Sequence, residues 1–130
     1  MAEDRYRIQL IEGVPVITAP AVIKAGNAHV LQAALERPAA LGLATVVVDL
    51  SSTRGCDAAG LAALVRAHRG AIAEGGDLRL AGAAGRVRAA IAAAGLDGVF
   101  RQYDTVCAAV AELPAAAIET CWVLTARLAS

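Results

Sequence analysis

Aromatic side chains are scarce in this chain of 130 residues, which holds one Phe, one Trp and two Tyr. Proteins that grip single-stranded nucleic acid do so largely by stacking rings on bases, and this poverty removes that kind of platform. Net charge is absent as well. Twelve Lys and Arg balance twelve Asp and Glu, which leaves no overall field to draw the chain to DNA or to insert it at an anionic membrane. Long apolar runs are also missing. The opening stretch, Met1 to Arg7, is polar and leads into no secretory apolar segment, and later runs are too short or too interrupted to span a bilayer. The three cysteines, Cys56, Cys107 and Cys121, are odd in number and have no ligand-like spacing. Neither a disulfide framework nor a metal site is therefore expected, and a reducing, cytoplasmic setting is. Gly82-Ala-Ala-Gly85 lacks the Lys-Ser/Thr of a phosphate-binding Walker loop, and the stretch from Gly13 to Gly26 carries no dinucleotide fingerprint. No cofactor is expected.

What remains is a hydrophobic fraction of 58%, much of it alanine. The length suits one domain with one core, in which small side chains let elements approach closely. Arg5 to Ile11 alternates Tyr6, Ile8 and Leu10 against Arg7 and Gln9, the period of a strand with one buried face. Glu12-Gly13 makes a turn, and Val14 to Ala19 returns as the second arm of a hairpin. Pro15, which has no N–H, belongs at an edge or at a position that makes no ladder bond. Asn27 caps a helix carrying Val30, Leu31, Ala34 and Leu35 on one face, which should end by Arg37 because Pro38 restricts its predecessor.

Thr45 to Val48, within Leu43 to Leu50, is the densest run of β-formers and reads as a central strand covered on both faces. After Asp57, a second helix lines up Leu61, Leu64, Val65, His68 and Ile72, leaves Arg66 and Arg69 outside that stripe, and stops at Gly75-Gly76. Leu78 and Leu80 mark a strand, Val87, Ala90, Ile91 and Ala94 a third helix, and Val99 and Phe100 a last short strand. A fourth helix starts near Asp104, turns Val106, Ala109, Val110 and Leu113 inward, and stops at Pro114. Strands alternating with helices imply right-handed crossovers. The expected fold is α/β, a mixed and mostly parallel sheet of about five strands with an N-terminal β-hairpin and about four helices packed against it. Residues 1–113 form the domain. Residues 114–130 form an extension that the placement of Ile118, Trp122 and Leu128 suits to a short amphipathic helix, with Trp122 packing on this domain or on a twin subunit, so a homodimer stays open.

In such sheets the loops leaving the carboxyl ends of strands present the functional residues. Ser51 to Asp57 is that loop for the central strand. Asp57 stands where its carboxylate reaches the free N–H of Ala59 or Gly60, which is first of all a helix cap. No base, nucleophile pair or ligand cluster accompanies it, and no catalytic residue is assigned. His29 and His68 are far apart in sequence and lack a paired carboxylate pattern, so both read as packing or surface residues. Arg86, Arg88 and Arg101 make at most a modest basic patch, diluted by Asp97 and Asp104. Cys56, just before the cap, is placed where a helix end lowers a thiol pKa, although a packed, inert thiol is the plainer reading.

These residues carry a resemblance. Val46 to Leu50 followed by Cys56-Asp57-Ala58-Ala59-Gly60-Leu61 resembles the signature of the STAS family of anti-anti-sigma factors, in which a strand runs into an Asp-Ser-Ser-Gly-Leu turn and helix. Gly75 to Gly82, Val87 to Asp97, and Val99 to Asp104 resemble the family's following strand, helix, turn and final helix entry, so the likeness runs from Arg5 to Leu113. It implies a STAS-like fold and a protein-binding regulator of anti-sigma factor antagonist type, whose partner is an anti-sigma factor or related kinase-like protein. It further implies a partner-binding surface of Lys24, Thr53, Arg54, Asp57, Ala58, Ala59, Gly60 and Leu61. The family's phosphorylated serine falls at Ala59 and its neighbour at Ala58. Neither has a hydroxyl, so the usual phosphate cannot be installed there. Ser51, Ser52 and Thr53 are nearby hydroxyls that read as polar loop residues. Before the first helix, Ala21-Val22-Ile23-Lys24 stands where the family commonly has Gly-Glu-Leu-Asp, a swing toward positive charge that changes which partner fits. Gly55 replaces a bulky residue and is expected to loosen the loop. An adaptor or scaffold module of a signalling or transport complex is the alternative for the same fold.

Overall fold

The structure is a computed structural model that describes residues 8–40, 42–43 and 45–111. Strands β1 (Ile8–Ile11) and β2 (Val14–Thr18) form the expected hairpin, closed at Glu12 and Gly13, which both take positive φ. That pair of angles matches a turn whose twist suits two antiparallel strands; Gly13 adopts it freely and Glu12 at some steric cost. Then come β3 (Val22–Ile23), α1 (Ala28–Ala40), β4 (Val46–Asp49), β5 (Gly55–Cys56), α2 (Ala58–Ala73), β6 (Leu78–Ala81), α3 (Gly85–Ala93), β7 (Arg101–Tyr103) and α4 (Val106–Ala111). The main sheet has the order β1-β2-β4-β6-β7, antiparallel at β1–β2 and parallel elsewhere. This is the mixed five-strand sheet with four helices that the sequence predicts.

Period-two geometry explains why β4 is apolar throughout. Val46 and Val48 join Ile17, Leu78 and Leu80 in a core closed by Leu31 and Leu35 of α1, Leu61 and Leu64 of α2, and Val87 and Ile91 of α3. Val47 points the other way, with Val16 and Ala81, onto Ala109 and Val110 of α4. The sheet thus lies between a three-helix layer and a single short helix, and the valines of β4 are buried on both sides.

Several expectations are corrected. Helix α1 runs through Pro38 to Ala40 and does not end at Arg37. A proline this near a helix end forfeits only one backbone donor, and the Pro38 carbonyl still accepts from Leu43. Ile8 and Leu10 share the sheet face of Ile17 through the pairs Ile8–Ile17 and Leu10–Pro15, yet they are 38% and 64% exposed. Alternation identifies the face of a strand; it cannot show that the helical layer stops short of the edge. Ile72 is likewise 52% exposed, past the end of the cover on α2. The last strand is Arg101–Tyr103, with Val99 exposed and Phe100 buried ahead of it. Pro15 fits its constraint from one strand in: β2 is internal, but its ladder with β4 begins only at Val16. Tyr6, Leu113 and the extension 114–130 lie outside the described residues. Among those described, no helix is long and apolar enough to cross a membrane.

Candidate functional site

The sequence reading missed β3 and β5, because two residues are too few to show a period. They pair in parallel, Val22 with Gly55 and Ile23 with Cys56, in a small second sheet beyond the carboxyl ends of β2 and β4. The pairing matters because it joins the loop after β2 to the loop after β4. Further bonds lock them: the Arg54 amide donates to the Ala21 carbonyl at 2.6 Å, the Asp57 amide to the Ile23 carbonyl at 3.0 Å, and the Thr53 hydroxyl to the Pro20 carbonyl at 2.8 Å. Gly55 is therefore held in a strand and does not loosen the loop as expected.

Asp57 is the pivot. Its extended backbone ends β5's loop and starts α2; Oδ1 accepts from the Gly60 amide at 2.9 Å, as the sequence predicts for a cap. Its Oδ2 accepts from the Ala25 amide at 3.2 Å, across the junction. One carboxylate thus satisfies a free helix donor and fastens the Lys24 loop to the head of α2. On the other side Asn27 performs a task different from the one expected. Its Oδ1 accepts from the Lys24 amide at 2.9 Å and its Nδ2 donates to the Val22 carbonyl at 2.9 Å. The side chain folds the preceding loop and leaves the amides of α1 alone.

Of the residues expected at a docking surface, Lys24, Arg54, Asp57 and Ala58 are exposed and Ala59 is half-buried. Gly60 and Leu61 are buried, and Thr53 is 2% exposed with its hydroxyl committed to Pro20, so Thr53 supports the loop from beneath and presents nothing to solvent. Ser51 and Ser52 are exposed, and the Ser51 amide is held by Asp49 Oδ1 at 3.0 Å. Gly60 explains why the head of α2 sits so near the small sheet. A Cβ there would lie 2.7 Å from Ile23 Cγ2, 2.8 Å from Cys56 Sγ and 2.8 Å from the Ile23 carbonyl oxygen.

Cys56 fits the plainer reading of a packed, inert thiol and not the lowered pKa that its place before the cap would allow. Burial, reinforced by the carboxylate of Asp57, pushes it up to about 11, which keeps the thiol protonated and a poor nucleophile. Cys56 is a free thiol, whereas Cys107 is disulfide-bonded, a bridge that an odd cysteine count did not foretell.

At the opposite end of the sheet, His68 has the carboxylate neighbour that sequence spacing hid. Asp77 sits 3.6 Å from His68 Nε2, 3.7 Å from Arg79 Nε and 3.6 Å from Arg101 Nε, while Phe100 meets the His68 ring edge to face at 5.4 Å. Arg88 pairs with Asp104 at 2.8 Å and Arg101 lies beside Asp77, so two of the three arginines of the modest basic patch are drawn into separate pairs. Among the described residues, no group of three or more His, Cys, Asp or Glu is arranged to hold a metal ion.

Comparison with known proteins agrees with this architecture. The family model described as the STAS domain matches residues 5–109. A putative anti-sigma factor antagonist from Thermotoga maritima superposes with a TM-score of 0.75 at 20% identity, covering 82% of this chain and 92% of that one. An anti-sigma factor antagonist from Mycobacterium paratuberculosis gives 0.72 at 24% identity, with 82% and 90% covered. The anti-sigma factor antagonist SpoIIAA in its unphosphorylated form gives 0.71 at 14% identity, with 83% and 95% covered. At these identities the likeness is one of fold. No curated protein matches the sequence.

Proposed function

From the premise that this chain belongs to the STAS domain family, we propose that it is a non-enzymatic, protein-binding regulator of anti-sigma factor antagonist type, whose partner is an anti-sigma factor or a related kinase-like protein. The observation that carries this reading is the junction of the two loops. Lys24, Arg54, Asp57 and Ala58 form one exposed surface around the head of α2, held by backbone pairing and by the two bonds of Asp57. A surface fixed this firmly loses little conformational freedom on docking, and a preorganised surface suits recognition. The described site offers no base or nucleophile pair near Asp57, and the one thiol there is held protonated.

In the proposed scheme the switch does not run through phosphorylation at the usual place. Positions 58 and 59 are alanine, and a methyl group cannot accept a phosphoryl group. The surface is then constitutively competent, or is governed by another input. Affinity purification from the native organism tests the reading. The unaltered chain should recover a protein with a kinase-like ATPase domain, and Lys24→Glu or Asp57→Arg should lose it. Recovery unchanged by both substitutions, or of a transport complex in place of a kinase-like protein, would remove the antagonist reading. Incubating the recovered kinase with the chain should leave its mass unchanged, while Ala59→Ser should gain one phosphate.

A further inference from the structure

Beside the head of α2 the surface continues into an open groove of about 360 Å3, walled by α2 on one side and by Ala94 and Leu96 at the end of α3 on the other. Two ridges run along α2 beside it at the four-residue spacing of neighbouring turns. One is Ala58, Ala62, Arg66 and the other is Leu61, Val65, Arg69. Each ridge begins apolar and ends in an arginine. Small residues on the first ridge let another helix come close, while Leu61, Val65 and Leu96 supply apolar floor.

Charge decides what fits. Arg66 and Arg69 are exposed, and neither has an ion-pair partner among the described residues. None of the groove's lining residues is acidic. Asp57, next to Ala58, has its carboxylate committed to the amides of Gly60 and Ala25. Asp97 is exposed and follows Leu96 in sequence, leaving the two arginines as the charges that line the groove itself. Lys24 and Arg54 extend the positive character onto the loop surface.

We propose that this groove receives an amphipathic helix of the partner protein, with an apolar ridge over Leu61 and Val65 and carboxylates one to two turns farther on against Arg66 and Arg69. The inference rests on the reading of the chain as a docking module and adds the chemistry of the partner: its contact element is acidic. Polar rims of this kind select partners and speed encounter, and an apolar floor holds them.

The test uses two synthetic helical peptides of about 15 residues, long enough to hold a helix, sharing one leucine ridge and differing only in Glu or Lys at the flanking positions. Binding to the full chain is followed by fluorescence anisotropy and by amide chemical-shift mapping. The Glu peptide should bind and shift the amides of residues 58–69 and 94–96. The pair Arg66→Glu and Arg69→Glu should weaken it by about tenfold or more and should favour the Lys peptide instead, with Arg66→Gln and Arg69→Gln falling between. Both positions altered are solvent-facing, and circular dichroism checks that each variant is folded. Equal binding of both peptides, binding of neither, or shifts mapped elsewhere would overturn the groove. The two readings fail separately. A partner lost on Lys24→Glu but kept by the double arginine reversal would sink the groove alone; a Glu peptide that binds a chain recovering no kinase-like protein would sink the antagonist reading alone.

Discussion

Gly60 sets how near the head of α2 lies to the small sheet, and it does so by what it lacks. The backbone oxygen of Ile23, 2.8 Å from where a Cβ would stand, cannot swing aside as a side chain would. Gly60→Ala should therefore destabilise the fold by about 1–3 kcal/mol, the range for overpacking a tight site, despite alanine's better helix propensity. Chemical denaturation measures the loss, and a neutral or stabilising result would show that the small sheet yields. Cys56, in the same contact, adds a dependence on pH. Its folded pKa of about 11 stands above the ordinary value of 9.0, so folding favours the protonated thiol. That contribution is fully present below 9.0 and is lost as pH rises toward about 11. Stability followed through this interval should fall more steeply for the native chain than for Cys56→Ala. Thiol alkylation of the folded chain should be slow at neutral pH and should accelerate only as pH nears the raised value.

At the scale of elements, the junction depends on one carboxylate with two duties. Asp57→Ala removes the cap, which costs about 0.5–2 kcal/mol, and also the bond to the Ala25 amide, which contributes about 0.5–1.5 kcal/mol. Asp57→Asn keeps an oxygen for the Gly60 amide and loses only the second bond, so its cost in a denaturation series should be the smaller of the two. Equal costs would mean that the cap on the Gly60 amide contributes nothing to stability, whereas a costless Asp57→Asn would mean that the link to Ala25 contributes nothing. The cap itself was legible, since an Asp ahead of an apolar stripe has few other uses. The central strand, the three long helices and the hairpin were legible for the same reason: each is long enough to display its period. The small sheet was not, because its pairing is a tertiary contact between segments about thirty residues apart, and neither segment carries a pattern. Without it, Asn27 reads as a helix cap and Gly55 as a loose joint, whereas both serve the junction. The burial of Thr53 was hidden likewise, since a loop hydroxyl that turns inward looks in sequence like one that turns outward.

For the molecule as a whole, the parallel strands give its two ends different chemistry. The carboxyl end carries the joined loops, and the amino end of β6 carries Asp77 with His68, Arg79 and Arg101 around it. The sheet also ends in an uncovered margin, where Leu10 is 64% exposed on an edge strand. Leu10→Lys should change stability by no more than about 0.5 kcal/mol, as for other surface positions, and a charge on an edge strand discourages self-association. Thermal unfolding and sedimentation check both halves of that expectation; a large drop in melting temperature would show that Leu10 is covered in solution. The sequence could place Leu10 on a face but not measure the reach of the helices above it.

The pairing of β3 with β5 has one further consequence. Neither strand can find the other until β2 and β4 lie side by side, because those two deliver the loops to the same end of the sheet. Contacts between distant segments are costly to close and form late. A partner that reads both loops at once, as proposed, would therefore meet its surface only on finished chains, and the concentration sensed would be that of completed molecules.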